Sequence, residues 1–243
     1  MSLNIAILGG TSHIARAITP YLLESGAQVT LFARNPGKLA DSPCRVIGDF
    51  AELMNGKYDL LINCIGAGTP KELAGDYNRW FTVLEKFDNL ALEYLQKVNR
   101  QALYVMFSSG AVYGRKNLAP AEENSVWELS PNKIAVPDYY ALAKIYSEAK
   151  HRSLPDLRIA DLRIFSFFRK ELFPFQTFSA TSRASFPVIR IMEIAPPGAV
   201  HNAAAVSSFA ESFFEKIVII FRLSLEKNPV EIIIMRIILA HKT

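Results

Sequence analysis

The sequence predicts a doubly wound α/β fold, in which helices cover both faces of a parallel sheet. Short apolar runs alternate with stretches of helical periodicity over residues 1–165. The apolar runs end at glycine, serine or asparagine, which is typical of buried parallel strands that stop at tight turns. This alternation favours a parallel sheet with right-handed crossovers.

The individual elements follow from these patterns. Residues 4–8 form an apolar strand that ends at Gly9-Gly10, and the next helix is closed by Gly26, because glycine often ends a helix. Further strands are predicted at residues 28–33, 44–47, 58–62, 103–107 and 157–164, and further helices at residues 77–98 and 139–151. The segment from Arg115 to Pro137 is predicted to be a loop.

Composition limits the class of protein. Half of the 243 residues are hydrophobic, 21% are charged and the formal net charge is +4. These values exclude a disordered chain, and two cysteines exclude a small disulfide scaffold. The mild charge gives no reason to expect a nucleic-acid partner, and no apolar run is long enough to predict a membrane-spanning helix. We expect a cytoplasmic protein with reduced thiols and no metal, because its histidines share no ligand spacing with carboxylates or cysteines.

The last third of the sequence differs from the rest. It contains no Asp after Asp161 and is rich in Phe, Ser and Ile. We therefore divide the chain into a domain at residues 1–168 and a small lobe at residues 169–243, which is divergent, truncated or altered in reading frame. Two short apolar strands are predicted within residues 217–239. They would pair with a second subunit in a homodimer or lie as a hairpin on a membrane surface.

The turn after the first strand is a candidate phosphate site. In a dinucleotide fold, glycines let this turn approach a pyrophosphate, and the next helix offers its N-terminal N–H groups. Ser12 and Ala15 stand where two further glycines are usual, so the turn also fits a plain strand–helix connection. The candidate cofactor-binding residues here are Gly9, Gly10, Thr11, Ser12, His13 and Ile14.

The end of the second strand indicates which dinucleotide is bound. A carboxylate there binds the ribose hydroxyls of NAD, whereas a basic residue accepts the 2′-phosphate of NADP. The strand ends at Arg34 without a carboxylate, so we favour NADP over NAD, while a solvated turn arginine is the alternative.

Tyr140 and Lys144 form the candidate catalytic pair. A spacing of four places both on one helix face, where the ammonium would lower the pKa of the phenol toward neutrality. Ser109 lies at the carboxyl end of a predicted strand, where ligands of open α/β sheets bind, and would orient a substrate oxygen. By itself the Tyr–Lys spacing also occurs in surface helices.

A set of motifs in a fixed order accompanies this pair. They are Gly9-Gly10-Thr11, Gly48-Asp49-Phe50, Asn63-Cys64-Ile65-Gly66-Ala67, the Phe-Ser-Ser-Gly-Ala-Val-Tyr-Gly run at residues 107–114, Tyr140-x-x-x-Lys144 and Leu162-Arg163-Ile164-Phe165. With these motifs the chain resembles the extended short-chain dehydrogenase/reductase family, in its branch of NAD-dependent epimerases and dehydratases that act on nucleotide sugars.

The resemblance implies a Rossmann-like domain with Tyr140 as general acid/base, Lys144 as its partner and Ser109 as the orienting hydroxyl. It implies an NADP or NAD cofactor, a nucleotide-sugar substrate and hydride transfer. The further cofactor-binding residues that it implies are Asp49, Phe50, Cys64, Ile65, Gly66, Ala67, Asn89, Tyr140 and Lys144. The family's substrate lobe is not recognisable after about Arg169. A non-catalytic dinucleotide-binding or partner-binding domain is therefore the alternative function. An enzyme completed by a partner subunit is a third hypothesis.

Overall fold

The computed structural model describes residues 2–114 and 125–164, together with the backbone of residues 190–192 and 236–238. The predicted lobe at residues 169–243, including most of the apolar stretch at 217–239, lies outside the described residues apart from these two short segments.

Six parallel strands form the main sheet. Their order is β3-β2-β1-β4-β5-β6, which is typical of a doubly wound sheet and confirms the fold class that the sequence predicts. The strand order reverses between β1 and β4, and ligands of such sheets bind at the carboxyl ends of the strands beside that reversal. The strands are β1 (Asn4–Leu8), β2 (Gln28–Phe32), β3 (Arg45–Ile47), β4 (Leu60–Asn63), β5 (Leu103–Ser109) and β6 (Ile159–Ile164).

Four helices connect the strands. They are α1 (His13–Glu24), α2 (Pro70–Leu73), α3 (Arg79–Lys97) and α4 (Val136–Arg152). The short α2 is absent from the sequence prediction, and α4 begins within the predicted loop rather than at Tyr139. Helix α4 can begin early because Pro137 occupies its first turn, where proline needs no hydrogen-bond acceptor, and because Asp138 accepts a hydrogen bond from the backbone N–H of Ala135.

The central strands are buried on both faces because α1 covers one face while α3 and α4 cover the other. Ile5 and Ile7 of β1 pack with Ile18 and Leu22 of α1. The alternate residues Ala6 and Leu8 pack with the cluster that includes α3. A strand buried on both faces reads as a continuous apolar run, which is why periodicity predicts these strands well.

The two remaining segments form a separate two-stranded sheet. Strand β7 (Arg190–Met192) pairs in parallel with β8 (Arg236–Ile238). None of the helices in the described part of the chain is long and apolar enough to cross a bilayer.

Candidate active site

A cavity of about 340 Å³ opens at the carboxyl ends of β1, β2 and β4. It lies at the reversal of strand order, where the fold predicts a ligand. Nine of its lining residues are in the sequence prediction: Gly9, Thr11, Ser12, Arg34, Phe50, Cys64, Ile65, Gly66 and Ala67.

The glycine turn has a geometry that only glycine permits at its first position. Gly9 has φ = +83°, and a Cβ there would lie 2.8 Å from Cγ1 of Ile65. The N–H groups of Gly9 and Gly10 both donate to the carbonyl oxygen of Phe32, at 2.9 Å each. The turn is thereby held against the end of β2 and leaves the first turn of α1 facing the cavity.

Ser12 stands where a glycine is usual in this turn, and its side chain makes two stabilising contacts. Its hydroxyl oxygen accepts a hydrogen bond from the N–H of Ala15 at 3.1 Å and so caps α1. The same side chain hydrogen-bonds the thiol of Cys64, whose pKa is raised well above its ordinary value mainly by burial. Cys64 therefore stays a neutral thiol in the cavity wall.

Seven predicted cofactor residues lie apart from the cavity wall, and two of them, Tyr140 and Lys144, are described below with Ser109. Gly10 packs against Leu31, and Ile14 packs against the core. His13 is exposed and close enough to Glu72 to help lower the pKa of that carboxyl, after the larger effect of hydrogen bonds from Thr69. The other two have local partners: Asp49 caps a short 3-10 turn by accepting from the N–H of Ala51 at 2.9 Å, and Asn89 accepts from Lys150 at 2.8 Å.

Aromatic rings form the far end of the cavity beside Arg34. The rings of Phe50 and Phe87 have centroids 4.7 Å apart, and Phe32 lies 6.0 Å from Phe50. Arg34 is exposed at the rim, directly after β2. An apolar slot with a cation at its rim suits a purine ring and an adjacent phosphate.

Helix α3 supplies cavity residues that the sequence analysis missed. Arg79, Val83, Lys86 and Phe87 line the cavity from one face of this helix. These residues are spaced three and four apart, which places them on one helix face. The spacing could therefore have predicted a shared wall of the site from the sequence. Two further cations thus face the cavity, which favours an anionic ligand.

The three predicted catalytic residues are brought together at the carboxyl end of β5. Ser109 ends that strand, and its side chain hydrogen-bonds the hydroxyl of Tyr140 on α4. Burial raises the pKa of Tyr140, while the hydrogen bond to Ser109 lowers it by less. The net direction is opposite to our sequence-based expectation of a lowered pKa.

The position of Lys144 gives the reason. Its ammonium is buried, donates to the carbonyl oxygen of Phe107 at 2.6 Å and lies 6.0 Å from the centroid of the Tyr140 ring. The ammonium is therefore bonded to the backbone of β5 and lies over the ring of Tyr140. Burial lowers the pKa of Lys144 to about 8, and nearby carboxylates limit this fall.

The wall beside this pair is fixed by a buried ion pair. Arg163 of β6 donates to both carboxylate oxygens of Glu148, at 2.9 and 2.5 Å, and to the hydroxyl of Tyr113 at 2.6 Å. Ser108 donates to the same carboxylate at 2.6 Å. Tyr113 is thus held in place by Arg163. Among the described residues, no cluster of three His, Cys, Asp or Glu side chains could hold a metal ion.

Comparison with known proteins now identifies the family. The family model described as "NAD dependent epimerase/dehydratase family" matches residues 5–168, which is more than half of the chain. The chain belongs to this family. The match confirms the resemblance that the sequence motifs indicate.

Solved structures share the fold of this family member at low sequence identity. UDP-glucose 4-epimerase from Brucella ovis, solved in complex with NAD, has a TM-score of 0.57 at 17% identity, and the alignment covers 68% of this chain and 52% of that one. The enzyme of the same name from Bifidobacterium longum, in complex with NAD⁺ and UDP, has a TM-score of 0.54 at 20% identity, with coverages of 66% and 52%.

A third structure gives the same result. A short-chain dehydrogenase/reductase superfamily protein from Agrobacterium tumefaciens with bound NAD has a TM-score of 0.51 at 21% identity, covering 66% of this chain and 48% of that one. The chain thus spans about half the length of these structures. No curated protein is significantly similar to the sequence.

Proposed function

We propose that the protein is an NAD(P)-dependent enzyme that epimerises, dehydrates or reduces a nucleotide sugar. The observation that carries the proposal is the convergence of Ser109, Tyr140 and Lys144 at the carboxyl end of β5 in a member of this family. The neighbouring cavity provides the glycine turn, the aromatic slot and the cations for a dinucleotide. The low-identity structures with bound NAD and UDP are consistent with such ligands.

The residues present fit a dinucleotide. A Cβ at Gly9 would fill the close approach to Ile65, so the turn keeps a concave backbone surface beside the N-terminus of α1. That surface, with Thr11 and Ser12, would hold the pyrophosphate. Phe50 would contact the adenine, and Arg34 would pair with a 2′-phosphate, which leads us to favour NADP. When bound, a nicotinamide supplies the site for reversible hydride transfer.

The catalytic residues would move one proton. Tyr140 would accept the proton of a sugar hydroxyl as the carbon that bears it loses hydride, and would return the proton in the reverse step. Ser109 would donate to the same sugar oxygen and hold it beside the phenol. Lys144 would stabilise the phenolate by its charge, which matters because burial alone raises the pKa of Tyr140.

Titration of the purified protein with NADPH and NADH tests the first half of the proposal. We expect nicotinamide fluorescence to change on binding, with the tighter binding for NADPH. Failure of both cofactors to bind at millimolar concentration would reject the proposed function.

Tyr140→Phe tests the second half. We expect turnover with a panel of nucleotide sugars to fall by about a hundredfold or more, with cofactor binding kept, because only the proton-transferring hydroxyl is lost. The matched control is Tyr139→Phe, since Tyr139 packs against Phe81 and Tyr77 instead. Equal turnover of Tyr140→Phe and the native protein would exclude Tyr140 as the acid/base.

A non-catalytic dinucleotide-binding domain is the second candidate. It is favoured by the raised pKa of Tyr140, because a neutral phenol is a poor base near pH 7. Cofactor binding without turnover across the panel would support it. A cytoplasmic location and a homodimer stay predictions.

A further inference from the structure

The buried face of α4 carries three ionisable side chains. Lys144, Glu148 and His151 are spaced four and three residues apart, and each is at most 4% exposed. A helix face that covers a sheet is normally apolar. Three buried charges require partners, because an unpaired charge in a protein interior is strongly destabilising.

Glu148 has its own cations. Its carboxylate is paired with Arg163 on β6 and, at 3.4 Å, with Arg152 one turn further along α4. Burial raises the pKa of Glu148, but these contacts and the hydrogen bond from Ser108 bring it below its ordinary value. Most of its negative charge is thus compensated locally.

His151 lies between two carboxylates. Its Nδ1 is 2.8 Å from Asp161 on β6, and its Nε2 is 2.7 Å from Asp88 on α3. Carboxylates on both ring nitrogens require both nitrogens to be protonated, so the ring is an imidazolium. Burial opposes that charge, yet the two carboxylates raise the pKa of His151 to about 9. We refer to Asp88, His151 and Asp161 as the charge cluster.

The charge cluster is held by further contacts on the α3 side. Asp88 pairs with Lys150 at 2.5 Å and accepts from the hydroxyl of Tyr104 on β5 at 2.9 Å. Tyr104 in turn accepts from Asn63 at 2.9 Å, at the end of β4. The side-chain oxygen Oδ1 of Asn63 accepts from the N–H of Ile65 in the cavity wall at 3.0 Å. Hydrogen bonds therefore run without a break from the cavity wall to His151.

The two aspartates of the charge cluster act electrostatically on Lys144. Asp161 is in register with Met106 of β5, and the next residue, Phe107, accepts the hydrogen bond from Lys144. Burial favours the neutral amine of Lys144, and four groups oppose this: Asp161 first, then Asp88, Glu148 and the thiol of Cys64. Glu148 is compensated by two arginines, and Cys64 stays a neutral thiol. Asp161 shares the single cation His151 with Asp88, which also pairs with Lys150, so Asp161 keeps the least compensated negative charge of the four groups.

We propose that the charge cluster is a positioning unit that keeps Lys144 a charged ammonium at the floor of the active site. Burial raises the pKa of Asp161, and the imidazolium of His151 opposes that rise and favours the ionised form of both carboxylates. The carboxylates in turn favour the ammonium. Its catalytic importance rests on the proposed function, because that function makes the charge of Lys144 necessary beside Tyr140.

Lysine side-chain NMR tests the unit without requiring activity. In protein labelled with ¹⁵N and ¹³C lysine, the Lys144 signal is assigned by its loss in Lys144→Met and titrated with pH. We expect its transition near pH 8 in the native protein, and a transition about one pH unit lower in Asp161→Asn, because the first of the opposing charges is removed. The matched control is Asp156→Asn, whose exposed carboxylate pairs with Arg100 on the surface. An unmoved Lys144 transition in folded Asp161→Asn overturns the proposal.

A measurement on the native protein covers the case in which Asp161→Asn does not fold. The ¹⁵N shifts of the His151 ring, assigned by comparison with His151→Gln, should show both nitrogens protonated at pH 7.5. A single neutral tautomer at that pH overturns the proposal, because the carboxylates would then lack their cation.

The pH profile of turnover links the unit to the proposed function. We expect the alkaline limb of kcat/KM to move to lower pH in Asp161→Asn while activity near pH 6 is kept, whereas a purely structural defect would lower activity at every pH. An unmoved alkaline limb overturns the positioning role. Absence of all turnover in the native protein would reject the proposed function alone, since both NMR measurements still decide the state of Lys144 and His151.

Discussion

Trp80 lies edge-on against the ring of Tyr140, with ring centroids 5.8 Å apart and ring planes inclined by 61°. Its indole N–H donates to the carbonyl oxygen of Gly68 at 3.1 Å, and Tyr77 stacks on its other side at 5.4 Å. Gly68 directly follows residues 64–67, which line the cavity after β4. One buried indole thus connects the cofactor wall to the proposed acid/base.

Removal of this indole should affect both stability and catalysis. We expect Trp80→Leu to lower the free energy of unfolding by about 3 kcal/mol, because a buried aromatic side chain is replaced by a smaller one. Trp80→Phe should cost about 1 kcal/mol, mainly from the lost hydrogen bond to Gly68. Urea denaturation measures both, and Trp127→Phe is the control. If Trp80→Leu were as stable as the native protein, the indole would have no structural role here.

Gly9 should be intolerant of alanine for two separate reasons. Its φ of +83° disfavours any side chain, and a Cβ there would also meet Ile65 at 2.8 Å. Gly26 has a similar φ of +81° with no atom within 4 Å of an added Cβ, so it isolates the backbone effect.

We expect Gly26→Ala to cost about 1 kcal/mol, and Gly9→Ala about 3 kcal/mol together with loss of dinucleotide binding. Thermal unfolding and the nicotinamide titration measure these effects. Equal costs for the two variants would mean that the contact with Ile65 relaxes freely.

Arg34 should determine the preference for NADP. We expect Arg34→Ala to weaken binding of NADPH about tenfold and to leave NADH almost unchanged, because only NADPH carries the 2′-phosphate that the guanidinium would bind. Fluorescence titration with each cofactor measures the change. Arg100→Ala is the control, since Arg100 is exposed and paired with Asp156. Parallel losses for both cofactors would show that Arg34 does not read the 2′-phosphate.

His151 should make stability depend on pH. Its pKa rises from 6.5 to about 9 on folding, so its contribution is complete below pH 6.5 and is lost as the pH rises through 9. By linkage this contribution is on the order of 3 kcal/mol. Lys144 acts in the opposite direction above pH 8, because folding lowers its pKa from 10.5 to about 8.

The effect of His151 is therefore clearest between pH 6.5 and 8, below the range in which Lys144 titrates. We expect the native protein to lose stability across this interval in urea denaturation, and His151→Gln to show a flatter dependence. A native stability that rises with pH over the same interval would show that His151 is not charged in the folded state.

The strands could be predicted because each is buried on both faces. Ile5 and Ile7 face one helix layer while Ala6 and Leu8 face the other, so the whole of β1 must be apolar. The beginning of α4 was less predictable, because a helix start depends on the local contact between Asp138 and Ala135 as well as on periodicity. Such a contact leaves only a weak signal in sequence.

The candidate site also contains residues that the sequence predicts and residues that it does not. Spacing and strand ends brought Ser109, Tyr140 and Lys144 into one prediction, because residues at the carboxyl end of a parallel sheet converge. The cavity positions of Arg79 and Lys86 were not predicted, because charged residues on a helix are usually solvated. Only the packing of α3 directs these two side chains to the cavity.

By itself the sequence determined the alternation of strands and helices, the family resemblance and the candidate group of Ser109, Tyr140 and Lys144, since these follow from periodicity and from short motifs. Only the tertiary structure decided the ionisation of those side chains. The pKa of Tyr140 rises because it is buried, and Asp88 and Asp161 act electrostatically on Lys144 although Asp88 is distant from it in sequence. Electrostatic energies depend on distance and burial in space, which the order of residues along a chain does not specify.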